Sequence, residues 1–242
     1  MLLHSDSSNA ILVLGCQRSG TTLLNHILGS HPGVQIFDHD MYHTSHVDID
    51  DMADEIIVAC RRSRCCVKGP QLVWYRDWLE EKFAGAKILW IFRDPAETVV
   101  SMLGLECHGV PWLENYLNTE QLNVPDLAMV DGETDAEMCA SIWGRKNRLG
   151  LDFDATFIHY HDLCHNPEPM IRSICSVIEL EFNEQMLSHH KVPAMGRLVG
   201  GYVPAVAIHK NEKVVPESLR EVVKPITTKL YNELLNHRNR TR

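Results

Sequence analysis

Long apolar runs are missing from this chain of 242 residues, the longest spanning about five. A helix that crosses a bilayer takes roughly 18, so no membrane-spanning helix and no membrane partner are expected. Positive charge is also scarce. Lys and Arg number 23 against 32 Asp and Glu, a net charge of −9. That balance argues against nucleic acid as a partner and against highly sulfated or phosphorylated polymers as substrates. Any cation that matters must therefore be focused in a pocket. The opening stretch MLLHSDSSNA has neither a basic start nor an apolar segment of signal-peptide length. A cytoplasmic location is expected, and with it eight cysteines kept as thiols.

Internal repeats and low-complexity tracts are absent too, and what remains is an alternation of short apolar runs with amphipathic stretches. Residues 10–14, AILVL, read as a strand covered on both faces. Leu23, Leu24, Ile27 and Leu28 then recur at helical spacing until GSHPG. A strand at 65–68 follows, then a helix through WYRDWLEEKF, then the strand KILWIF. Pro95 suits a first helical turn with Asp94 as its cap. Residues 135–151 are helical by composition, ATFIHY reads as a strand, and Asn166 with Pro167 opens another helix. A last helix is expected near 225–235. The pattern predicts one α/β domain over 1–242, in three layers, with a mostly parallel central sheet and helices on both faces. Residues 105–135 lack sustained periodicity and read as an irregular, lid-like insertion.

The stretch GCQRSGTT, residues 15–22, joins the first strand to the first helix. It has glycine, four residues and glycine, but Thr21 stands where nucleotide hydrolases carry lysine. Small residues at a helix N-terminus turn several amides toward an anion. Ser19, Gly20, Thr21 and Thr22 would supply amides and hydroxyls, and Arg18 a permanently charged fork. The plain alternative is a tight turn with Arg18 in solvent. A second element, FRDPAETVVS, puts Arg93 at a strand end and Ser101 eight residues on. An arginine and a hydroxyl at such a junction suit a terminal phosphate monoester. The alternative pairs Arg93 with Glu97 and leaves Ser101 to packing. Because ligands of parallel sheets bind beyond the strand carboxyl ends, both elements are expected on one rim.

Together, QRSGTTLLNHILGSHPGV resembles the 5′-phosphosulfate loop of the sulfotransferases that use 3′-phosphoadenylyl sulfate (PAPS), and ILWIFRDPAETVVSML resembles their 3′-phosphate element. VKGP, residues 67–70, is similar to the K-T-P of carbohydrate-type and bacterial members, and IHYHDLCHNPEPMIRSICSVIELEF to the segment RYEDL…P…L…F. The resemblance covers roughly residues 10–185 and implies a P-loop-like fold, PAPS as donor and no metal. It assigns Arg18 to the leaving-group oxygens and Lys68 to the transferring sulfuryl group, unless Lys68 is a surface lysine at a strand end. Arg93 and Ser101 would read the 3′-phosphate.

An acceptor hydroxyl must lose its proton to a base. Cytosolic members carry a histidine where this chain has Pro70, which cannot serve. Counting from His31 and Pro32, as in tyrosylprotein-type members, puts His39 on the base position, and a one-residue gap would select Asp38 or Asp40. A polar loop without a catalytic part is the remaining reading. His161 fills the glutamate position of the family's YED, and Arg197 is similar to a late basic element that binds cofactor. Neither DHDMYHTSHVDIDD nor His159, His161 and His165 has strong metal spacing. The expected acceptor is a small molecule or saccharide, with Trp112 and Tyr116 either stacking on it or sitting in the core. Two rivals stand beside this reading. One is a nucleotide kinase with Asp94 on Mg²⁺, and the other a PAPS-binding protein without catalysis. Oligomeric state is left open.

Overall fold

Side-chain alternation along the strands builds two separate cores, one on each face of a single sheet. The computed structural model describes residues 7–38, 49–107, 109–120, 130–191, 196–197 and 213–240. Strand β1 (Ala10–Gly15) is buried throughout. Helix α1 (Thr21–Gly29), β2 (Val34–Asp38), α2 (Ile49–Cys60) and β3 (Arg64–Lys68) follow. After a 3₁₀ turn at Leu72–Trp74 come α3 (Arg76–Lys82), β4 (Lys87–Phe92) and α4 (Pro95–Leu103). A small antiparallel pair, β5 (Glu106–Cys107) and β6 (Val110–Pro111), leads into α5 (Trp112–Glu120). Then come α6 (Asp135–Gly150), β7 (Ala155–His159), α7 (Tyr160–His165) and α8 (Pro167–Val177). A 3₁₀ segment at Glu184–Lys191, the two-residue β8 (Gly196–Arg197) and α9 (Glu217–Arg240) complete the order.

The main sheet runs β7-β4-β1-β3-β2-β8, and every pairing in it is parallel. This is the expected α/β architecture. Ile11, Val13, Ile36, Leu89, Ile91 and Ile158 face α1, α8 and Leu163 of α7. Leu12, Leu14, Phe37, Val67, Trp90 and Phe92 face the opposite way, under α2, α4, α5, α6 and α9. The chain crosses β1 on its way from β3 to β4, so the sheet reverses its direction of growth at β1. Such a switch point opens a crevice at the carboxyl ends of the strands.

Four elements depart from the sequence reading. β2 and α2 have no counterpart in it, because VQIFD is short and its Gln35 interrupts the apolar run. Segment 105–135, expected to be irregular, contains α5, whose Trp112, Leu113 and Tyr116 are buried in the larger core. Pro125 and its neighbours at 121–129 lie outside the described residues. Pro225, expected to open the last helix, sits inside α9. A proline there removes one helical hydrogen bond, but Val223, Thr227, Leu230 and Leu234 are buried at four- and three-residue spacing and hold the helix down. All eight cysteines are thiols, and burial pushes those of Cys16 and Cys139 up to about 12. Among the described residues no helix is long and apolar enough to cross a membrane.

α9 is fastened to the sheet at the end of β7. The Nε2 of His159 lies 3.0 Å from the Tyr231 hydroxyl, and Arg238 donates to its Nδ1 at 3.2 Å. Arg238 also pairs with Asp162 at 2.9 Å. Burial pushes the His159 pKa down to about 4, opposed by Asp162 and assisted by the charges of His161 and Arg238. His159 is therefore neutral in the fold, whereas the unfolded chain takes up a proton near 6.5. Its contribution is complete above pH 6.5 and is lost as pH falls through about 4. Urea denaturation should show the unmodified chain losing on the order of 3 kcal/mol more than His159→Gln between pH 7 and pH 4. Equal losses in the two chains would separate α9 docking from this histidine.

Candidate functional site

Parallel pairing brings the strand ends to one rim. Gly15 is in register with Ile91, Val13 and Asp38 with Lys68, and Phe92 with His159. The loop after β1, the residues after β4 and the start of α7 therefore share one rim. Gly20 holds φ at +104°, and a Cβ there would lie 2.4 Å from the Tyr160 ring. Glycine is required for both reasons. Arg18 also has positive φ, 66°, in a region that a side chain occupies at some cost. No side chain caps the start of α1. The Ser19 hydroxyl and the Gln17 amide nitrogen are buried without a protein partner, so the loop holds polar capacity that the fold does not use.

The loop meets the strand-end element directly. Arg18 Nε donates to Ser101 Oγ at 3.0 Å. Burial and then the nearby Arg93 charge pull the Arg18 pKa below its ordinary value, although its side chain is exposed enough to reach solvent. The Arg93 charge thus acts on Arg18 from nearby. Arg93 itself is buried and donates from Nε to Glu97 Oε2 at 2.8 Å, with its guanidinium 4.5 Å over the Tyr160 ring. The ion-pair alternative for Arg93 is thus realised, while Ser101 faces Arg18 rather than serving packing alone. Glu97 Oε1 also lies 3.1 Å from His161 Nε2. Asp94 caps α4 by accepting from the Glu97 amide at 2.9 Å.

Lys68 is not a surface lysine. It is buried, and its Nζ reaches both carboxylate oxygens of Asp38, at 3.0 and 3.1 Å. Asp38, one of the three base candidates, is thereby the counter-ion of Lys68. His39 and Asp40 lie outside the described residues. Arg197 has its backbone in β8 beside Phe37, and its side chain is outside the description. His159, His161 and His165 stack as a ladder with centroids 5.4 and 5.8 Å apart. Among the described residues no cluster of three or more His, Cys, Asp or Glu could hold a metal.

Sequence reasoning passed over Gln17, Tyr160 and Lys146. Lys146 is fully buried and donates to Gln17 Oε1 and to the Pro70 carbonyl, both at 2.8 Å. The available signal was its spacing with Cys139, Ile142, Trp143 and Gly150, which places a lysine on the apolar face of α6.

A model of the sulfotransferase family matches residues 10–56 and 36–184. A Caenorhabditis briggsae protein named "Putative protein-tyrosine sulfotransferase" is 22% identical, over 78% of this chain and 71% of that protein. The sulfotransferase domain from the curacin biosynthetic pathway has a TM-score of 0.58 at 15% identity, covering 93% of this chain and 96% of that one. A sulfotransferase from Alicyclobacillus acidocaldarius gives 0.57 at 13%, covering 93% and 94%. A mouse sulfotransferase complexed with PAP gives 0.50 at 16%, covering 96% and 84%. At these identities the solved structures speak to the fold alone.

The glycines supply a test of the loop geometry. Gly20→Ala meets both a positive φ and the Tyr160 ring, and should destabilise by about 1–3 kcal/mol. Gly144→Ala, inside α6 with open space around it, should stabilise by roughly 0.5–1 kcal/mol. Urea denaturation midpoints measure both, and equal shifts would contradict the loop geometry.

Proposed function

Because the chain belongs to the sulfotransferase family, we propose that it transfers a sulfuryl group from PAPS to a hydroxyl or amine acceptor and releases adenosine 3′,5′-bisphosphate. The observation that carries this reading is the 3.0 Å bond from Arg18 to Ser101, which brings the loop and the strand-end element into direct contact. A donor with a phosphosulfate at one end and a ribose 3′-phosphate at the other needs such a two-sided grip. The amides and hydroxyls of Ser19, Gly20, Thr21 and Thr22 bind the phosphosulfate, and Arg93 with Ser101 reads the 3′-phosphate. The unpartnered Ser19 hydroxyl and Gln17 amide fit a loop that takes an anion.

In the reaction the acceptor oxygen or nitrogen attacks sulfur in line, and the bond from sulfur to the bridging phosphate oxygen breaks. Arg18 stabilises charge on the leaving phosphate, and Lys68 charge on the transferring group. The acceptor proton passes to a base in the segment after β2, where His39 is assigned and Asp40 is its neighbour. Asp38 orients and neutralises Lys68 at 3.0 Å instead. The work is positioning and electrostatics, and no step requires a metal. The acceptor is a small molecule or saccharide, and the tyrosine-directed name of the nematode relative adds a phenolic hydroxyl as a candidate. The kinase rival is disfavoured because Asp94, its Mg²⁺ ligand, has an oxygen engaged as a helix cap.

Thermal unfolding with nucleotides tests the donor assignment. Adenosine 3′,5′-bisphosphate at about 100 times its dissociation constant should add roughly 2.7 kcal/mol, and AMP at equal concentration much less. Arg93→Ala alone would leave the buried Glu97 without its guanidinium partner, costing about 3–5 kcal/mol. The paired change Arg93→Met with Glu97→Met avoids that penalty and should erase the preference for the 3′-phosphate. A preference that survives it removes Arg93 from the site. Likewise Lys68→Met with Asp38→Asn should lower turnover by on the order of 10²–10³ while donor affinity changes little. Unchanged turnover in that pair would rule out Lys68.

A further inference from the structure

Lys146 lies in the interior of α6 with none of its surface in solvent. Besides Gln17 and Pro70, it donates to Gln71 Oε1 at 2.5 Å. Its ammonium also lies 5.2 Å from the Trp74 ring centroid and 5.3 Å from that of Tyr116. Trp74 Nε1 in turn donates to the Tyr116 hydroxyl at 3.2 Å. The oxygens that accept from Lys146 come from two places. Gln17 is the neighbour of Arg18 in the loop after β1, and Pro70 and Gln71 form the turn two and three residues beyond Lys68.

Burying an ammonium costs several kcal/mol, and a methionine of similar length would fill the space without that penalty. What methionine cannot do is hold oxygens from separate segments around one centre. A tetrahedral ammonium fixes each of them in direction as well as distance. Loop amides and a neighbouring lysine act on a transferring group only when held to a fraction of an ångström.

We propose that Lys146 is a positioning residue for sulfuryl transfer, tying the loop that carries Arg18 to the turn that follows Lys68 from inside the fold. It does not touch the reacting atoms, since it is enclosed. Tyr116 extends the tie to α5, so that helix rests on the same ammonium. This inference depends on the donor assignment proposed above, because it concerns the part of the donor that the loop grips.

The test compares two ligands in calorimetric and NMR titrations of the full chain. Adenosine 3′,5′-bisphosphate has a 5′-phosphate for the loop, and adenosine 3′-monophosphate has none. Lys146→Met should weaken the bisphosphate by at least about tenfold, given that a 1 Å displacement can cost about 10²-fold, and leave the 3′-monophosphate unchanged. Equal weakening of both ligands would mean general structural damage, and no weakening of either would mean no role. Both outcomes overturn the proposal. Should Lys146→Met fail to fold, Gln71→Met cuts the turn side of the tie without touching the anion-binding loop, and the same ligand-selective loss decides the matter. Failure of the unmodified chain to bind the bisphosphate would overturn the donor assignment itself, and this inference with it.

Discussion

The site depends on one constraint, the parallel hydrogen bonding of β1 to β3 on one side and to β4 on the other. Parallel neighbours end on the same rim, so three strand ends with three different roles open together. Gly15 opposite Ile91 sets the height of the loop relative to Arg93, and Val13 opposite Lys68 sets its height relative to the lysine. A slip of one residue at either pairing would turn alternate side chains to the wrong core. The close approach is enforced at Gly15 itself, where a Cβ would sit 2.2 Å from the Ile91 carbonyl oxygen. Contact between Arg18 and Ser101, 83 residues apart, follows from that register.

On this frame the charges are held in buried pairs. Lys68 with Asp38 and Arg93 with Glu97 are each nearly closed to solvent. Such pairs add little net stability, yet breaking one is expensive. Their effect here is orientation. Asp38 restrains an ammonium that would otherwise swing on four methylenes, and Glu97 restrains a guanidinium that already lies over the Tyr160 ring. His161 adds a third group to the Glu97 cluster at 3.1 Å, where the family pattern has a carboxylate. A carboxylate at that position would repel Glu97, and an imidazole can bond to it. The departure from YED and the presence of Glu97 are compatible with each other for that reason.

Much of the sheet was legible because its strands are covered on both faces. AILVL and ILWIF are unbroken apolar runs, and such runs have few other uses in a short span. The cap at Asp94 and the proline at the first turn of α4 were legible because both are chemical requirements local to a few residues. β2 was not, since its burial comes from neighbours 30 residues away rather than from its own pattern. Helix α5 was hidden for a related reason. Trp112, Leu113 and Tyr116 give a narrow apolar stripe in a polar stretch, and only the core they enter makes it a helix. In the site, the pairing of Arg93 with Glu97 was open to the sequence because it joins residues one helical turn apart. The partners of Lys68 and Arg18 were not, because they come from 30 and 83 residues away.

Asp38 shows where that boundary falls. Beside a histidine in the sequence FDHD, it has the composition of a base and its orienting acid. The parallel pairing of β2 with β3 places it directly across from Lys68, and a carboxylate so close to an ammonium forms the ion pair. Both oxygens are then engaged, and proton abstraction would have to break the bonds that orient the lysine. The competition is settled by register, which acts over tens of residues, and not by spacing within the motif. At this rim the last residues of β2 and β3 are therefore committed to each other across the sheet, and a base would have to come from outside that pair.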